Sequence, residues 1–386
     1  MKDKILLWLR GGVANHLMNY PTPLGINYFW SFGSLVGLML GLQIVTGLLM
    51  DMSYTAHIDH AFDSIEHVMR DVRYGWLLRY MHCNGASFIF FGLYAHIARG
   101  LYYQSYKHPR THVWMSGSLI FVLMAGTAFL GYVLPWGQMS FWGATVITNI
   151  LTAVPIFGDP IVIWIWGGFS INNATLTRFH SLHFVLPFVI AALAIIHLLI
   201  LHRVGSSNPL SVDSSMDSIR FFPYFALKDT LAFLAFILFF LYIVCYQPNL
   251  FGHPDNYIKA NPMVTPTHIV PEWYFLPFYA ILKSIPSKIG GAIAMGLSLG
   301  CLFLLPSLDT SKRAWVESKF LADFFFALIV LDVMLLGWLG GKAPSPVFVA
   351  LNQFLTFYYF FHFFVVIPAL SYFENNAITK WLYNEA

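Results

Sequence analysis

Eight long apolar runs limit what this chain can become before any single residue is weighed. They lie at about residues 32–51, 76–102, 113–133, 180–203, 229–246, 289–306, 321–339 and 347–371. A hydrocarbon core about 30 Å thick takes roughly 20 helical residues to cross. In lipid each backbone polar group must be satisfied within its own segment, so such runs become helices. Composition agrees, with 58% hydrophobic and 10% charged residues where soluble domains average about a quarter charged. The sequence predicts an all-α membrane protein of eight transmembrane helices in a lipid bilayer. Nothing in it points to nucleic acid.

An even number of spans puts both termini on one side. The termini and the second, fourth and sixth connections, with their flanks, hold 13 of the 21 Lys and Arg. The other connections hold 8, and residues 134–177 hold none. The positive-inside rule places both termini on the matrix or cytoplasmic face. The opposite face then carries the longest connections: 52–75, 134–179 and 247–288. Long structured loops gathered on one face usually bind partners or do chemistry. Asp59, Glu66 and Arg70 predict a short surface helix in the first, and Trp142 to Leu151 another in the second. The first 20 residues are too polar for a secretory signal, so insertion is expected to rely on the spans themselves. Cys83, Cys245 and Cys301 are scattered singly, without a C-x-x-C. That spacing argues against disulfides, covalently attached haem and an intrinsic iron–sulfur cluster.

Two of the runs carry histidines at the same interval. His82 and His96 are 14 residues apart, and so are His183 and His197. Fourteen helical residues rise ~21 Å and return to nearly the same face. Both runs cross in the same direction, so His82 is level with His183 and His96 with His197. A lone intramembrane histidine reads equally well as a polar contact or a proton relay. Four in two matched pairs favour two bis-imidazole haem sites, which leave the iron no open position and suit electron transfer. Glycines repeat the interval. Gly33 and Gly47 are 14 apart in the first run, and Gly117 and Gly131 in the third. Small-residue packing is the ordinary use of such glycines, but their register and depth match the histidines and favour clearance for a large flat group. Arg79 and Arg99 flank the two levels as candidate partners for haem propionates, with interfacial snorkelling as the alternative. His180, one turn before His183, competes with it as a ligand. Only His183 keeps the interval to His197.

The segments Arg-Tyr-Met-His-Cys-Asn-Gly-Ala-Ser (79–87), Gly-Gln-Met-Ser-Phe-Trp-Gly-Ala-Thr-Val-Ile-Thr-Asn (137–149), Gly-Ser-Ser-Asn-Pro (205–209), Gly-His-Pro-Asp-Asn-Tyr (252–257) and Pro-Glu-Trp-Tyr (271–274) resemble the mitochondrial-type cytochrome b family. That family forms the central subunit of respiratory complex III, and the likeness covers about residues 20–370. The 14-residue interval in the fourth run and the presence of all eight spans on one chain resemble the bc type more than the b6 type. His180 departs from the pattern, where an aromatic is more usual. The segment before residue 20 and the last dozen residues match nothing.

The resemblance implies a di-haem four-helix domain over residues 1–210. It implies a second domain over 211–386 with four more spans and a quinol-site loop. It implies two non-covalent b haems, ubiquinone as substrate and ubiquinol:cytochrome c oxidoreductase activity coupled to proton translocation. Its partners would be a Rieske iron–sulfur protein, cytochrome c1, other complex III subunits and a second copy of the chain. The location would be the mitochondrial inner membrane in preference to a bacterial plasma membrane. Phe129, Tyr132, Gly143, Glu272 and Tyr279 would line or gate quinol oxidation on the long-loop face. Glu272, a carboxylate in an apolar loop held by Pro271 and Pro277, has the chemistry of a proton acceptor. The alternative is a rigid interfacial loop whose carboxylate faces water. A larger residue at Gly143 would fill space beside the substrate ring. On the positive face His202, Ser206, Lys228 and Asp229 lie at facing helix ends. His202 and Asp229 would contact the quinone carbonyls and Lys228 would supply protons. Asp332 and His362, inside the seventh and eighth runs, are expected to make polar contacts within the bundle.

Two other readings stand beside this one. Another di-haem membrane anchor, of the formate dehydrogenase or nitrate reductase kind, has fewer helices and no need of two quinone loops. A proton-coupled transporter with relay histidines would hold no haem.

Overall fold

The computed structural model describes residues 18–311 and 319–384, together with Gly11. Lys2, Lys4, Arg10, Lys312 and Arg313, counted above toward the positive face, lie outside the described residues, as do most of the N-terminal segment and the last two residues. The helices are α1 Phe32–Asp51, α2 Ala61–Arg70, α3 Gly75–Tyr102, α4 Thr111–Val133, α5 Gln138–Asn149, α6 Gly158–Trp166 and α7 Asn173–Val204. They continue with α8 Tyr224–Tyr246, α9 Leu276–Ser284, α10 Lys288–Leu308, α11 Lys319–Gly340, α12 Pro346–Phe361 and α13 Ile367–Asn384.

Among the described residues, seven segments are long and apolar enough to cross a membrane. They include α1, α4, α7, α8, α10 and α11 over most of their lengths, and the α12–α13 run. The remaining expected span, α3, has the length at 28 residues. It also carries Arg79, His82, Asn84, His96 and Arg99, so it is the most polar of the eight. Exposed positions on these helices are mostly apolar. On α7, Leu182, Val185, Ile195 and Leu199 all stand exposed. A stripe like that on a water-soluble protein would be an aggregation surface. This is an integral membrane protein.

α3 packs chiefly on α1, and α7 on α4. Phe88, Phe90, Met39, Phe121, Met124 and Ile190 fill the space between them. α8 joins this core through Phe236, Phe240 and Val244. A second core forms where α9, α10, α11 and α12 meet, around Ile281, Cys301, Leu305 and Leu336. The three cysteines are free.

Two boundaries move from their expected places. α7 begins seven residues before 180, because Asn172 and Thr175 make a reciprocal capping box. That cap satisfies the first backbone N–H groups of a polar turn that hydropathy alone discards. Arg178 also donates to the carbonyls of Trp164 and Ile165. The last span continues past 371 through a π-turn at His362–Val366 into α13. Both loop helices predicted from the sequence form. α2 carries an Arg70–Glu66 ion pair of 2.7 Å, and α5 covers most of the second segment. The all-α architecture gains one small exception. β1 Pro21–Pro23 pairs antiparallel with β2 Ser218–Arg220, tying the chain before α1 to the connection between α7 and α8.

Candidate functional site

The four histidines sit as the 14-residue interval requires. His82 from α3 and His183 from α7 face each other with ring centroids 6.3 Å apart and planes 83° from parallel. A separation of about 6 Å is what two imidazoles on one metal need when each metal–nitrogen bond is about 2 Å. His96 and His197 lie within electrostatic reach of each other one level away. Each ring is backed by one of the four glycines. A Cβ on Gly47 would stand 3.0 Å from His82 Cε1, on Gly33 3.1 Å from His96 Cε1, and on Gly117 3.1 Å from His197 Cε1. On Gly131 it would run into the His183 ring. These glycines therefore give the imidazoles room to stand, a closer role than the clearance for a flat group that the spacing alone predicts.

Neighbouring groups fix the tautomer of three rings. His183 Nδ1 lies 2.8 Å from the Thr127 carbonyl, which can only accept, so Nδ1 carries the proton. Thr46 gives its hydroxyl proton to the Leu42 carbonyl and so accepts from His82 Nδ1 at 2.9 Å. Ser116 donates to the Val113 carbonyl and accepts from His197 Nδ1 at 2.8 Å. In each case Nε2 keeps its lone pair for a metal. His96 differs, with Arg99 Nη2 3.4 Å from its Nδ1. Trp30 Nε1 and Arg99 Nε are buried without an acceptor among the described residues, and Arg99 lies over the Trp30 ring at 5.1 Å. Two orphaned donors beside the His96 level are what the carboxylates of a bound macrocycle would satisfy. Among the described residues no cluster of three or more His, Cys, Asp or Glu could hold a bare ion. A histidine pair suits a metal that brings its other donors with it, and the residues fit haem.

His180 is not aimed at that position. Its Nε2 pairs with Asp51 Oδ1 at 2.6 Å, and its ring leans on Tyr54. His183 is left as the partner of His82.

A cavity opens from the His82/His183 level to the long loops. Arg79, Tyr132, Asn256, Glu272 and Tyr274 share its wall with both histidines. Its lining is set by how the Pro-Glu-Trp-Tyr segment is pinned. Trp273 Nε1 donates to Ser87 Oγ at 3.0 Å. Tyr274 stacks on Phe90 with centroids 4.0 Å apart and planes 2° from parallel, and its carbonyl accepts from the Tyr94 hydroxyl. Glu272, immediately before these anchors, is turned inward to Tyr132, whose hydroxyl donates to its carboxyl. Burial pushes the Glu272 carboxyl up to about 7, and Tyr132 and Arg79 offset only part of the rise. The water-facing alternative therefore does not hold. Tyr279 donates to the Ile269 carbonyl at 3.3 Å beneath Lys283. Phe129 packs edge-on to Phe179. A Cβ at Gly143 would meet nothing within 4 Å.

On the other face the four predicted residues are joined through the segment before α1 and the first turn of α1. Tyr20 stacks on His202 at 4.1 Å and hydrogen-bonds Ser206 at 2.9 Å. Ser34 donates to Asp229 Oδ2 at 2.9 Å. Lys228 donates to the Ile26 carbonyl at 2.7 Å and lies over the Tyr28 ring. Arg110 fixes the turn after α7 through the Gly205 and Ser206 carbonyls. Sequence reasoning missed Thr46, Ser116, Tyr20, Trp30 and Ser34. A hydroxyl four residues along a helix, or an aromatic before the first span, carries no signal until its partner from elsewhere in the chain is known.

A helical membrane bundle with two histidine pairs stacked along its axis defines the class of membrane electron carriers. Residues 17–205 match the cytochrome b/b6/petB family, and residues 259–360 the C-terminal cytochrome b/b6/petD family. The cytochrome b of Chondrus crispus is 54% identical over 363 residues, 94% of this chain and 95% of that one. That of Marchantia polymorpha is 55% identical over 364 residues, 94% and 90% of the two chains, and that of Rickettsia bellii 53% over 362 residues, 93% and 90%. A chain of a solved structure described as "Hyperthermophilic respiratory Complex III" superposes with a TM-score of 0.91 at 33% identity, covering 97% of this chain and all of that one. The chain belongs to the cytochrome b family. Membership implies b-type haem and electron transfer in a respiratory chain.

Proposed function

We propose that this chain is the quinone-reactive core of a ubiquinol:cytochrome c oxidoreductase, with residues 1–210 as the haem-holding unit and 211–386 carrying the quinol-site loop. The two-level histidine arrangement carries the reading, with Nε2 left free on His82, His183 and His197. His82 with His183, and His96 with His197, hold two b haems. When bound, these supply one-electron carriers at two depths of the membrane.

The protein's own residues do the rest. Glu272, near neutrality in its titration, accepts a proton from quinol bound beside Tyr132, Phe129, Gly143 and Tyr279, and releases it toward the long-loop face. Arg79 and Arg99 hold carboxylates at the two levels. Across the membrane His202 and Asp229 contact the carbonyls of a second quinone. Lys228 and Ser206 complete that pocket, and protons enter from this side. Proton release on one face and uptake on the other makes electron flow translocate charge. The long loops dock a Rieske iron–sulfur protein and cytochrome c1, within a complex III that contains two copies of the chain. The membrane is the mitochondrial inner membrane, with both termini in the matrix.

A reduced-minus-oxidised optical spectrum of the purified complex tests this. Two distinguishable b-haem bands are expected, and His183→Leu should remove one of them. A spectrum without b-haem bands would overturn the haem-holding role proposed for the four histidines.

A further inference from the structure

The C-terminal helices hold a polar seam that neither histidine pair nor either quinone pocket uses. Asn352, Thr356 and Tyr359 of α12 and His362 at the start of the π-turn after it follow one another at spacings of four, three and three, and all are buried. That interval places them on one face over ~15 Å of helix. Asp332 comes in from α11, 2% exposed. Neither Asp332 carboxyl oxygen has a hydrogen-bond partner among the described residues, and nor do Asn352 Oδ1, Thr356 Oγ1, Tyr358 Oη and His362 Nδ1. The hydrogen bonds expected of Asp332 and of His362 Nδ1 are therefore not made among the described residues. Tyr359 is satisfied by the Ser298 carbonyl at 2.8 Å, and Asn352 Nδ2 by the Ala280 carbonyl at 2.8 Å. Asn352 is fixed on one side in this way while its Oδ1 stays unpaired.

Buried polar atoms are normally hydrogen-bonded, and an unpaired carboxyl at membrane depth is costly unless neutral and solvated. A group of orphaned donors and acceptors in one place is the setting in which buried water is found. The chain also relaxes to a π-turn at His362–Val366, at the His362 end of the seam. We propose that this seam is an internal water-filled site, and that Asp332 is its proton-binding carboxyl, neutral and hydrogen-bonded through water to Tyr358 and His362. Tyr358 and Tyr359 from α12 lie within electrostatic reach of Asp332. His362 lies against Tyr358, and Cys301 from α10 and Tyr94 from α3 are within reach of Tyr359. None is a cation able to hold Asp332 as a carboxylate.

Infrared spectra of the intact complex in H2O and D2O test this. A carboxylic-acid carbonyl band that shifts in D2O and disappears in Asp332→Asn is expected, with haem content unchanged. A carboxyl region unaltered by Asp332→Asn, or a band deaf to D2O, would overturn the proposal. If Asp332→Asn fails to assemble, Thr356→Val decides by melting temperature. In a hydrated seam it removes a partner of water and lowers the melting temperature. In a dry one, replacing an unsatisfied hydroxyl by a methyl leaves it unchanged or raises it, and the proposal fails.

Discussion

At the scale of residues, imidazole chemistry is set by groups that never touch a metal. Ser116 illustrates the point, because its hydroxyl is already spent on Val113 and so can only accept from His197. Ser116→Ala removes that acceptor and leaves the His197 ring only the Val113 carbonyl to hold its Nδ1–H. Outer partners of metal-bound histidines are typically worth 10–100-fold in affinity, so roughly tenfold weaker retention of one haem is expected. Competition with a haem-scavenging protein measures it, and unchanged retention would show the ring to be fixed by packing alone. Glu272 yields a pH prediction. Its carboxyl is raised to about 7 by burial, and only the ionised form accepts a proton. Quinol oxidation should therefore rise as pH increases through about 7. Glu272→Gln should lower the rate and flatten that limb. The same shift has a stability consequence. Between the ordinary carboxyl range and about 7 the folded chain binds more protons than the unfolded one, so this group's contribution to stability falls as pH rises across that window.

At the scale of elements, the two outer loops work as one unit. Gln138 N donates to the Ile258 carbonyl at 2.9 Å and Ala260 N to that of Trp136 at 3.0 Å. Asn256 Oδ1 accepts from Ser140 N and Oγ at 2.9 and 3.0 Å. Gly137 is the residue over which the strands close, and a Cβ there would collide with the Asn256 backbone. Gly137→Ala should part this zipper, lowering quinol oxidation and the melting temperature by several degrees while both haem spectra persist. Loss of haem together with activity would mean the loops also support the bundle. This pairing was invisible in the sequence. The 137–149 and 252–257 segments stood out separately, but nothing in either states that they pair. The helices were legible because lipid imposes a long apolar run on each. The start of α7 was not, because a capping box spends polar residues inside the membrane-facing limit of a helix.

For the molecule as a whole, one sequence interval determined a three-dimensional arrangement that loops then made asymmetric. Helix direction alone matched His82 to His183 and His96 to His197, and the facing rings follow that pairing. The residues that distinguish the two ends came from segments without periodicity. The outer end depends on pinned loops, and the inner end on a strand pair and aromatics before α1. That division predicts how the ends separate under mutation. His183→Leu removes a ring at the loop end, where His180 cannot replace it while held by Asp51. It should delete one b-haem signal and abolish quinol oxidation. His197→Leu acts ~21 Å deeper, beyond the Glu272 pocket. It should delete the other signal, leave quinol able to reduce the remaining haem once, and block turnover. Stopped-flow reduction of each variant by quinol measures both results. If His197→Leu prevents even that first reduction, electrons do not enter at the loop end, and the assignment of the two faces reverses.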